Sequence, residues 1–258
     1  MDLRRRPRPQ WGRQVVIPPG QEGSRVGLDL MRLQEGETFV AEPAGEELVL
    51  VLLSGDVALR THGLEASGQR QDVWSGAATA FYLPPHAFWR LEASRPSELA
   101  ICRAKSDRPG RAQRIGPEDN RSQERGSDLF QRRVVDIVAD NVDADRLIVG
   151  ETTNRTGHWS SYPPHKHDTQ SPPDEHRMEE IYLYRIRPAQ GFGFQGVYTA
   201  DGSVDCAYRI LNGDVVLLPR GYHPVAAAPG YDLYYLWALA GDDRQLTPRT
   251  DPDHAWLL

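Results

Sequence analysis

Short apolar runs bounded by turn residues recur along the whole chain, and they decide its predicted class. Each run holds four to six residues with glycine, proline or aspartate nearby, which is typical of buried β-strands. Long stretches with the 3.6-residue period of an amphipathic helix are missing. The pattern therefore predicts an all-β protein with strands at 48–53, 80–83, 99–102, 181–184, 193–198, 215–218 and 233–237.

The order of these elements occurs twice along the chain. An acidic pair leads into an apolar run, a Gly-Asp turn follows, and a proline turn ends at a histidine. The first copy carries Glu46-Glu47, Gly55-Asp56 and His86, and the second carries Glu179-Glu180, Gly213-Asp214 and His223. A repeat on this scale indicates a duplicated domain. We predict two small β-barrels or jelly rolls: residues 1–125, including a polar connector from about residue 105, and residues 126–258.

Composition narrows the setting of the protein. Cys102 and Cys206 are far apart and lack a metal-binding spacing, which favours a reduced, cytoplasmic compartment. No apolar run approaches the roughly 20 residues of a membrane span, and the first residues lack the apolar stretch of a secretory signal. The formal charge of -6 argues against nucleic-acid binding. We therefore expect a small-molecule partner, no nucleic acid and no membrane, and apolar sheet surfaces leave room for a homo-oligomer.

The motif His165-Lys166-His167 is the strongest chemical signal in the sequence. Side chains two positions apart on a β-strand point the same way, so both imidazoles can share one metal ion. The acidic pair Glu179-Glu180 and the distant His223 supply the remaining ligands of a nitrogen and oxygen set, which suits zinc, manganese, iron, nickel or cobalt. Adjacent strand residues face opposite ways, so only one of the two glutamates is expected to bind the metal. The first copy has no His-x-His and is expected to lack a complete ligand set.

Several segments of the second half resemble known sequences. The run from Gly213 through Pro219 and Gly221 to His223 resembles the second block of the cupin signature, although the first block contains an insertion, residues 168–178, where cupins have a much shorter spacer. Segments 159–168, 190–195, 221–225, 234–236 and 251–256 are similar to the 5-deoxy-glucuronate isomerase family of myo-inositol catabolism. That family is similar to 4-deoxy-L-threo-5-hexosulose-uronate ketol-isomerase, a zinc-dependent protein of two cupin domains.

The resemblance implies a duplicated cupin, or bicupin, whose second domain binds a divalent metal: zinc first, with manganese, iron, nickel or cobalt as alternatives. His165, His167 and His223 match the family's metal-binding histidines. The segment Arg177-Met178-Glu179 resembles an Arg-Met-Glu of the uronate isomerase and favours Glu179 as the fourth ligand. General cupins, in which Ile-x-Tyr follows the ligand glutamate, favour Glu180 instead.

The implied activity is aldose–ketose isomerisation of 5-deoxy-D-glucuronate to 5-dehydro-2-deoxy-D-gluconate. The metal is expected to polarise the aldehyde and stabilise an enediolate while a proton moves from C2 to C1. Candidates for carrying that proton are Glu180, if it is not the ligand, and His176 in the inserted loop. Candidates for binding the substrate are Arg185 and Lys166 at its carboxylate, and Gln195 and Tyr182 at its hydroxyls.

Other interpretations stay open at this point. Strand alternation favours a Lys166 that points away from the metal, and most loop histidines, such as His176, are simply exposed. A cupin oxygenase would need redox-active iron with an open coordination position. A sugar-binding bicupin without turnover would use the same fold, because fold does not determine function. The complete ligand set of the second half favours an enzyme.

Overall fold

The computed structural model describes residues 2–20 and 24–258, and nearly all of its regular structure is β. The first strands are β1 (Arg4–Arg5), β2 (Gly12–Ile17), β3 (Val26–Leu33), β4 (Thr38–Ala41), β5 (Glu46–Thr61), β6 (Leu64–Arg70), β7 (Ala80–Leu83), β8 (Trp89–Lys105) and β9 (Gln113–Ile115). The later strands are β10 (Arg121–Arg125), β11 (Arg132–Val138), β12 (Leu147–Asn154), β13 (Trp159–Ser160), β14 (His165–Lys166), β15 (Met178–Arg187), β16 (Phe192–Tyr198), β17 (Asp205–Leu211), β18 (Val215–Leu218), β19 (Val225–Ala227), β20 (Asp232–Gly241) and β21 (Arg249–Thr250). Short 3₁₀ helices span Pro117–Asp119, Asp128–Phe130 and Pro252–Leu257.

Every apolar run that the sequence predicts as a strand lies within a strand, and the all-β prediction is confirmed. The predicted connector has more regular structure than expected, because it contains β9, a 3₁₀ helix and β10. Strand β9 pairs with β7, which accounts for its order despite its polar sequence. In the described part of the chain, no helix has the length and hydrophobicity needed to cross a membrane.

The chain forms two compact units whose residues are not consecutive. The N-terminal unit holds Arg8–Arg121 and Asp136–Val149. The C-terminal unit holds Met1–Pro7, Ser122–Val135 and Gly150–Leu258. The sequence predicts one boundary, between residues 125 and 126, so three segments belong to a different unit than expected: residues 2–7, 122–125 and 136–149.

Hydrogen bonds between distant parts of the chain account for the two longer segments, residues 2–7 and 136–149. Strand β1 pairs with β18, and this pairing adds the first residues to the C-terminal unit. Buried Glu47 accepts backbone hydrogen bonds from Asp145, Arg146 and Leu147 at 2.6–2.7 Å, which holds residues 136–149 in the N-terminal unit. Neither pairing is visible in a local pattern, and a boundary between folding units at residue 125 stays a prediction.

The N-terminal unit is built on one sheet. Its strand order is β2-β3-β8-β5-β7-β9, with β4 paired to β8 and β6 paired to β5. Apolar side chains from several of these strands form its core, including Met31, Leu50, Leu52, Phe81 and Trp89. Long strands that each contribute alternate side chains to one face explain how a sequence with short apolar runs fills a core.

The C-terminal unit carries strands of two sheets, with orders β1-β18-β15-β20-β12-β11-β10 and β13-β19-β16-β17. Strand β15 lies between β18 and β20 and pairs antiparallel with both. Because side chains alternate along a strand, Glu180, Tyr182 and Tyr184 share one face of β15, while Glu179 and Arg185 share the other. Strand β14, which begins with the first histidine of the His-x-His motif, pairs with β21 near the C-terminus.

Candidate metal centre

Three buried side chains of the C-terminal unit meet at one point. His167, Glu180 and His223 bring their potential ligand atoms within 4.8 Å of one another. His167 Nε2 lies 3.1 Å from Glu180 Oε2, and His223 Nε2 lies 3.4 Å from the same oxygen. The three residues come from separate elements: the loop after β14, strand β15 and the turn between β18 and β19. Their convergence depends on the tertiary fold.

His165 lies beside this cluster. Its ring packs edge-on against the ring of His223, with the centroids 4.9 Å apart, while the ring of His167 lies 5.0 Å from His223 on a similar edge contact. Both imidazoles of the His-x-His motif therefore approach the same third histidine, as the strand spacing predicts. His165 is half-buried and is not one of the three residues whose ligand atoms meet.

The Nδ1 atom of each of these histidines faces a backbone carbonyl. The distances are 3.2 Å from His165 to Pro163 O, 3.0 Å from His167 to Met178 O and 2.9 Å from His223 to Gly221 O. A carbonyl oxygen only accepts hydrogen bonds, so each Nδ1 carries a proton and donates it, which leaves Nε2 to face the cluster. Metal-binding histidines commonly have this arrangement, because it fixes the ring and its tautomer.

Burial sets the charge of the rings. Burial, together with the nearby His167, lowers the pKa of His165 to about 4. Burial likewise lowers the pKa of His223 well below its ordinary value. Burial also opposes the charged form of His167, but the hydrogen bond to Glu180 and the charge of that carboxylate raise its pKa above the ordinary value. Two of the three rings are therefore neutral near pH 7, the state that can bind a metal.

The structure places Glu180, rather than Glu179, against the histidines. The Arg-Met-Glu resemblance made Glu179 the expected ligand, but Glu179 lies on the other face of β15, where Arg177 Nη2 is 3.9 Å from its carboxylate. Strand alternation is the physical reason, since only one of two neighbours can face the cluster. The Glu-Ile-x-Tyr pattern, which favoured Glu180, was the informative signal.

Lys166, which precedes the inserted loop, and His176, which lies within it, are not among the three residues whose ligand atoms meet. Lys166 Nζ lies 2.5 Å from Asp168 Oδ1 and 2.8 Å from Glu175 Oε1. Buried Glu175 also accepts backbone hydrogen bonds from Asp168 and Thr169, so Lys166 and Glu175 together close this loop. The expected role of Lys166 at the substrate carboxylate is not supported, because its charge is already paired. His176 is buried, and its Nδ1 lies 3.1 Å from Thr247 Oγ1.

Gln195 supports the backbone that carries His223. Its Nε2 donates to the carbonyl oxygens of Gly196, His223 and Pro224 at 2.8–3.1 Å, and its Oε1 accepts a hydrogen bond from the Tyr184 hydroxyl. All of its polar atoms are thus engaged within the protein. Gln195 was expected to bind substrate hydroxyls, but its contacts give it a positioning role.

Tyr182 and Arg185 lie on opposite faces of β15. The Tyr182 ring is 6.1 Å from the His223 ring, and its hydroxyl is 2.8 Å from Ser161 Oγ, so Tyr182 lies next to the cluster. Arg185 faces the other side of the strand and donates from Nη1 to Tyr184 O at 3.2 Å. Strand alternation points its guanidinium away from Glu180, so the position of Arg185 does not support its expected role at the substrate carboxylate.

Two serines near the cluster had no role in the sequence interpretation. Ser160 Oγ lies 3.0 Å from the Tyr235 hydroxyl, and Ser161 Oγ lies 2.8 Å from the Tyr182 hydroxyl. The ring centroids of the two tyrosines are 4.5 Å apart. The serines belong to segment 159–168, which carries the family resemblance, but its pattern indicated no contact for them. Together these residues form a buried wall of hydroxyl groups beside the histidines.

The fold and this cluster define a class of protein. The structure aligns with oxalate decarboxylase from Lactobacillus farciminis at a TM-score of 0.69 and 12% identity, covering 97% of this chain and 88% of that chain. A similar alignment, with a TM-score of 0.67 and 12% identity, covers 96% of this chain and 79% of an oxalate decarboxylase from Bacillus subtilis described with Mn(II) centres. At this identity the likeness shows the fold alone. The protein is a cupin-like all-β protein, as predicted.

The family is narrower than the class. Residues 5–257 match the KduI/IolB family, and the chain belongs to that family. It is 39% identical over 251 residues to 5-deoxy-glucuronate isomerase from Geobacillus thermodenitrificans, covering 96% of this chain and 92% of the relative. It is 35% identical over 237 residues to the Bacillus subtilis strain 168 enzyme of that name, covering 90% and 88%. An IolB-like protein from Salmonella typhimurium LT2 superposes with a TM-score of 0.93 at 34% identity, covering 100% of this chain and 99% of that one. The resemblance seen in the sequence is confirmed.

Proposed function

We propose that this protein is a 5-deoxy-glucuronate isomerase, which converts 5-deoxy-D-glucuronate to 5-dehydro-2-deoxy-D-gluconate in myo-inositol catabolism. The observation that carries the proposal is the 39% identity to a curated isomerase of that name across 96% of the chain. The buried cluster of imidazoles and a carboxylate supports it, because an aldose–ketose conversion requires a polarised carbonyl group.

His167, Glu180 and His223 hold a divalent metal ion in this proposal, with His165 as the fourth ligand. Three imidazole nitrogens and one carboxylate suit zinc first, and manganese, iron, nickel or cobalt as alternatives. A second observation supports the fit: among the described residues, the buried His223 Nε2 has no hydrogen-bond partner. Buried polar atoms without a partner are rare and call for an explanation, such as a bound ion. When bound, the metal supplies Lewis acidity towards the carbonyl oxygen of the substrate.

The tyrosine hydroxyls next to the cluster hold the sugar by hydrogen bonds. Burial and the charge of Glu180 raise the pKa of Tyr182 well above its ordinary value, and burial raises the pKa of Tyr235. Both phenols therefore keep their protons near pH 7 and act as hydrogen-bonding groups rather than as bases. The surrounding burial excludes water, which strengthens these contacts.

The proton that moves from C2 to C1 requires a carrier. In this proposal Glu180 binds the metal, so His176 is the candidate that stays. Its ring is buried and is held through Nδ1 by Thr247 Oγ1, which gives it one orientation. Exchange of His176 for glutamine is expected to lower kcat while the bound metal is retained, because the residue lies outside the ligand cluster.

The setting of the enzyme follows from the same proposal. Cys102 and Cys206 are free thiols, which supports a cytoplasmic location. A sugar acid is the proposed partner, with no role for nucleic acid or a membrane. A homo-oligomer is proposed on the exposed apolar side chains, which include Phe88, Phe194 and Trp256.

One experiment tests the reaction directly. Purified protein of measured metal content is incubated with 5-deoxy-D-glucuronate in deuterated water and followed by NMR. The keto acid is expected to form, and deuterium at the carbon that was C1 of the substrate, which is C6 of the product, would report exchange of the proton during transfer. Protein treated with a chelator and the variant His223→Ala serve as controls that should lose turnover. An active wild-type preparation free of divalent metal would refute the metal role, and no conversion by the metal-loaded enzyme would refute the function.

A further inference from the structure

One guanidinium of the C-terminal unit is buried in part without a counter-charge. Arg132, the first residue of β11, is half-buried, and its Nη1 donates a hydrogen bond of 3.2 Å to Phe130 O. Among the described residues, no carboxylate lies within ion-pair distance of Arg132, whereas Arg6 pairs with Asp214 and Arg187 with Asp232 in the same unit. Removing a cation from water without a partner is unfavourable, so such an arginine suggests an anionic ligand.

Contacts around Arg132 locate it beside the hydroxyl wall of the metal centre. Residues 130 and 131 hold segment 158–162, because Gln131 O lies 3.0 Å from His158 Nδ1 and the rings of Phe130 and Tyr162 lie 5.6 Å apart. The serines of that segment contact the hydroxyls of Tyr235 and Tyr182 at 3.0 and 2.8 Å. One short stretch of chain therefore connects the surroundings of Arg132 to the side chains that flank His223.

The electrostatics of these groups agree with this location. Burial and the charge of Arg125 lower the pKa of Arg132, while the neighbouring Tyr235 and Tyr182 act in the opposite direction. The charge of Arg132 in turn contributes to the low pKa of His165, after the larger effects of burial and His167. The guanidinium remains charged at any accessible pH, so a fixed positive charge acts on the histidine side of the site.

A sugar acid carries the negative charge for which Arg132 has no partner among the described residues. Its reacting carbonyl is at C1, and its carboxylate is at the far end of the carbon chain, where a planar guanidinium can bind both oxygens at once. The two cations expected for this task from the sequence do not face the cluster: Arg185 lies on the other face of β15, and Lys166 is paired with Glu175 and Asp168. Arg132 has the required charge, partial burial and location.

We propose that Arg132 binds the carboxylate of the substrate and thereby sets the preference of the site for a sugar acid over a neutral sugar. The inference rests on the proposed isomerase function and adds to it the residue that recognises the acid. Arg132 is a binding group in this proposal and takes no part in moving the proton.

The test compares two non-reacting probes on the metal-loaded protein. The first is the substrate acid with its aldehyde reduced to an alcohol, and the second is its neutral counterpart with a hydroxymethyl group in place of the carboxylate. Affinities are measured by calorimetry for the wild type, Arg132→Gln, Arg132→Lys and Arg133→Gln. Arg133 is the matched control, because it is the next residue of β11, is exposed and bonds to Ser122 Oγ.

Arg132→Gln is expected to weaken binding of the acid about 100-fold, as loss of two charge-assisted hydrogen bonds implies, and to change binding of the neutral probe less than about 3-fold. Arg132→Lys keeps the charge but loses the planar fork, so a loss of about 10-fold is expected. Arg133→Gln should match the wild type with both probes. Thermal unfolding checks the fold, and if the glutamine variant does not fold, the lysine variant decides.

Three results would overturn the inference: wild-type affinity for the acid in the Arg132 variants, equal weakening of both probes in Arg132→Gln, or a wild type that does not prefer the acid. Turnover of 5-deoxy-D-glucuronate by the same preparations separates this outcome from failure of the function. If the wild type forms the keto acid and Arg132→Gln binds both probes with wild-type affinity, only the role of Arg132 is refuted. A selective wild type that never forms the keto acid refutes only the proposed reaction.

Discussion

The adjacent glutamates of β15 offer a test in which the same chemical change is made on the two faces of one strand. Glu180→Gln removes the carboxylate that lies 3.1 Å from His167 Nε2 and 3.4 Å from His223 Nε2. Glu179→Gln changes a side chain on the opposite face, 3.9 Å from Arg177. We expect the first variant to lose metal and isomerase activity, and the second to retain both.

The expected magnitude follows from what an amide cannot supply. Glutamine keeps the shape of glutamate but is neutral, so the attraction between a carboxylate and a divalent ion is lost. Residues that only orient a metal ligand contribute about 10–100-fold to affinity, and a ligand itself contributes more. We therefore expect the affinity of Glu180→Gln for zinc to fall by at least about 100-fold, or roughly 2.8 kcal/mol.

The assay is a competition titration of each apoprotein with zinc and a chromophoric chelator, followed by NMR turnover at matched metal occupancy. Circular dichroism and thermal unfolding establish that both variants fold. Equal loss of affinity in the two variants would contradict the assignment of faces. If Glu179→Gln loses zinc affinity and Glu180→Gln retains it, Glu179 is the ligand, as the Arg-Met-Glu resemblance favours.

Three further outcomes are expected. Gln195→Leu removes the amide that supports the His223 carbonyl, so zinc affinity measured by calorimetry should fall about 10–100-fold while circular dichroism shows that the fold persists; unchanged affinity would contradict the positioning role. Glu47→Gln exchanges a buried acceptor of three backbone N–H groups for an amide, and should lower the free energy of unfolding by about 3 kcal/mol in urea titrations, whereas the exposed Glu42→Gln should not. The pKa of His165 is about 4 and that of His223 is well below the ordinary value, while that of His167 is raised, so only His167 holds a proton that the metal must displace near neutral pH. Between the folded pKa of His167 and about pH 5, zinc affinity should therefore fall about tenfold for each unit by which the pH is lowered. A thousandfold fall per unit would refute this account of the three rings.

Local patterns were sufficient for the strands and for the histidines. Strands β7 and β18 match the predicted runs residue for residue, because the burial of a short apolar run between turns depends mainly on neighbouring residues. The His-x-His spacing likewise predicts that His165 and His167 approach a common point, and both rings lie against His223. Resemblance of the run from Gly213 to His223 to the cupin signature anticipated a cupin-like protein.

Long-range pairing decided the roles that a pattern left open. The residues around Glu179 and Glu180 supported either as the ligand, and the direction of β15 between β18 and β20 selects Glu180 for the face that carries Tyr182. Gln195 was expected at the substrate, but residues almost thirty positions later along the chain engage its amide.

The sequence by itself determined the β class, the repeated order and the three histidines, because each of these depends on spacing between nearby residues or on a recurring motif. The tertiary structure alone decided which glutamate faces the histidines, that Lys166 closes a loop with Glu175, and that Arg185 points away from the cluster. The physical reason is that the direction and partner of a charged side chain depend on strand register and on contacts between distant segments, and neither is contained in a local pattern.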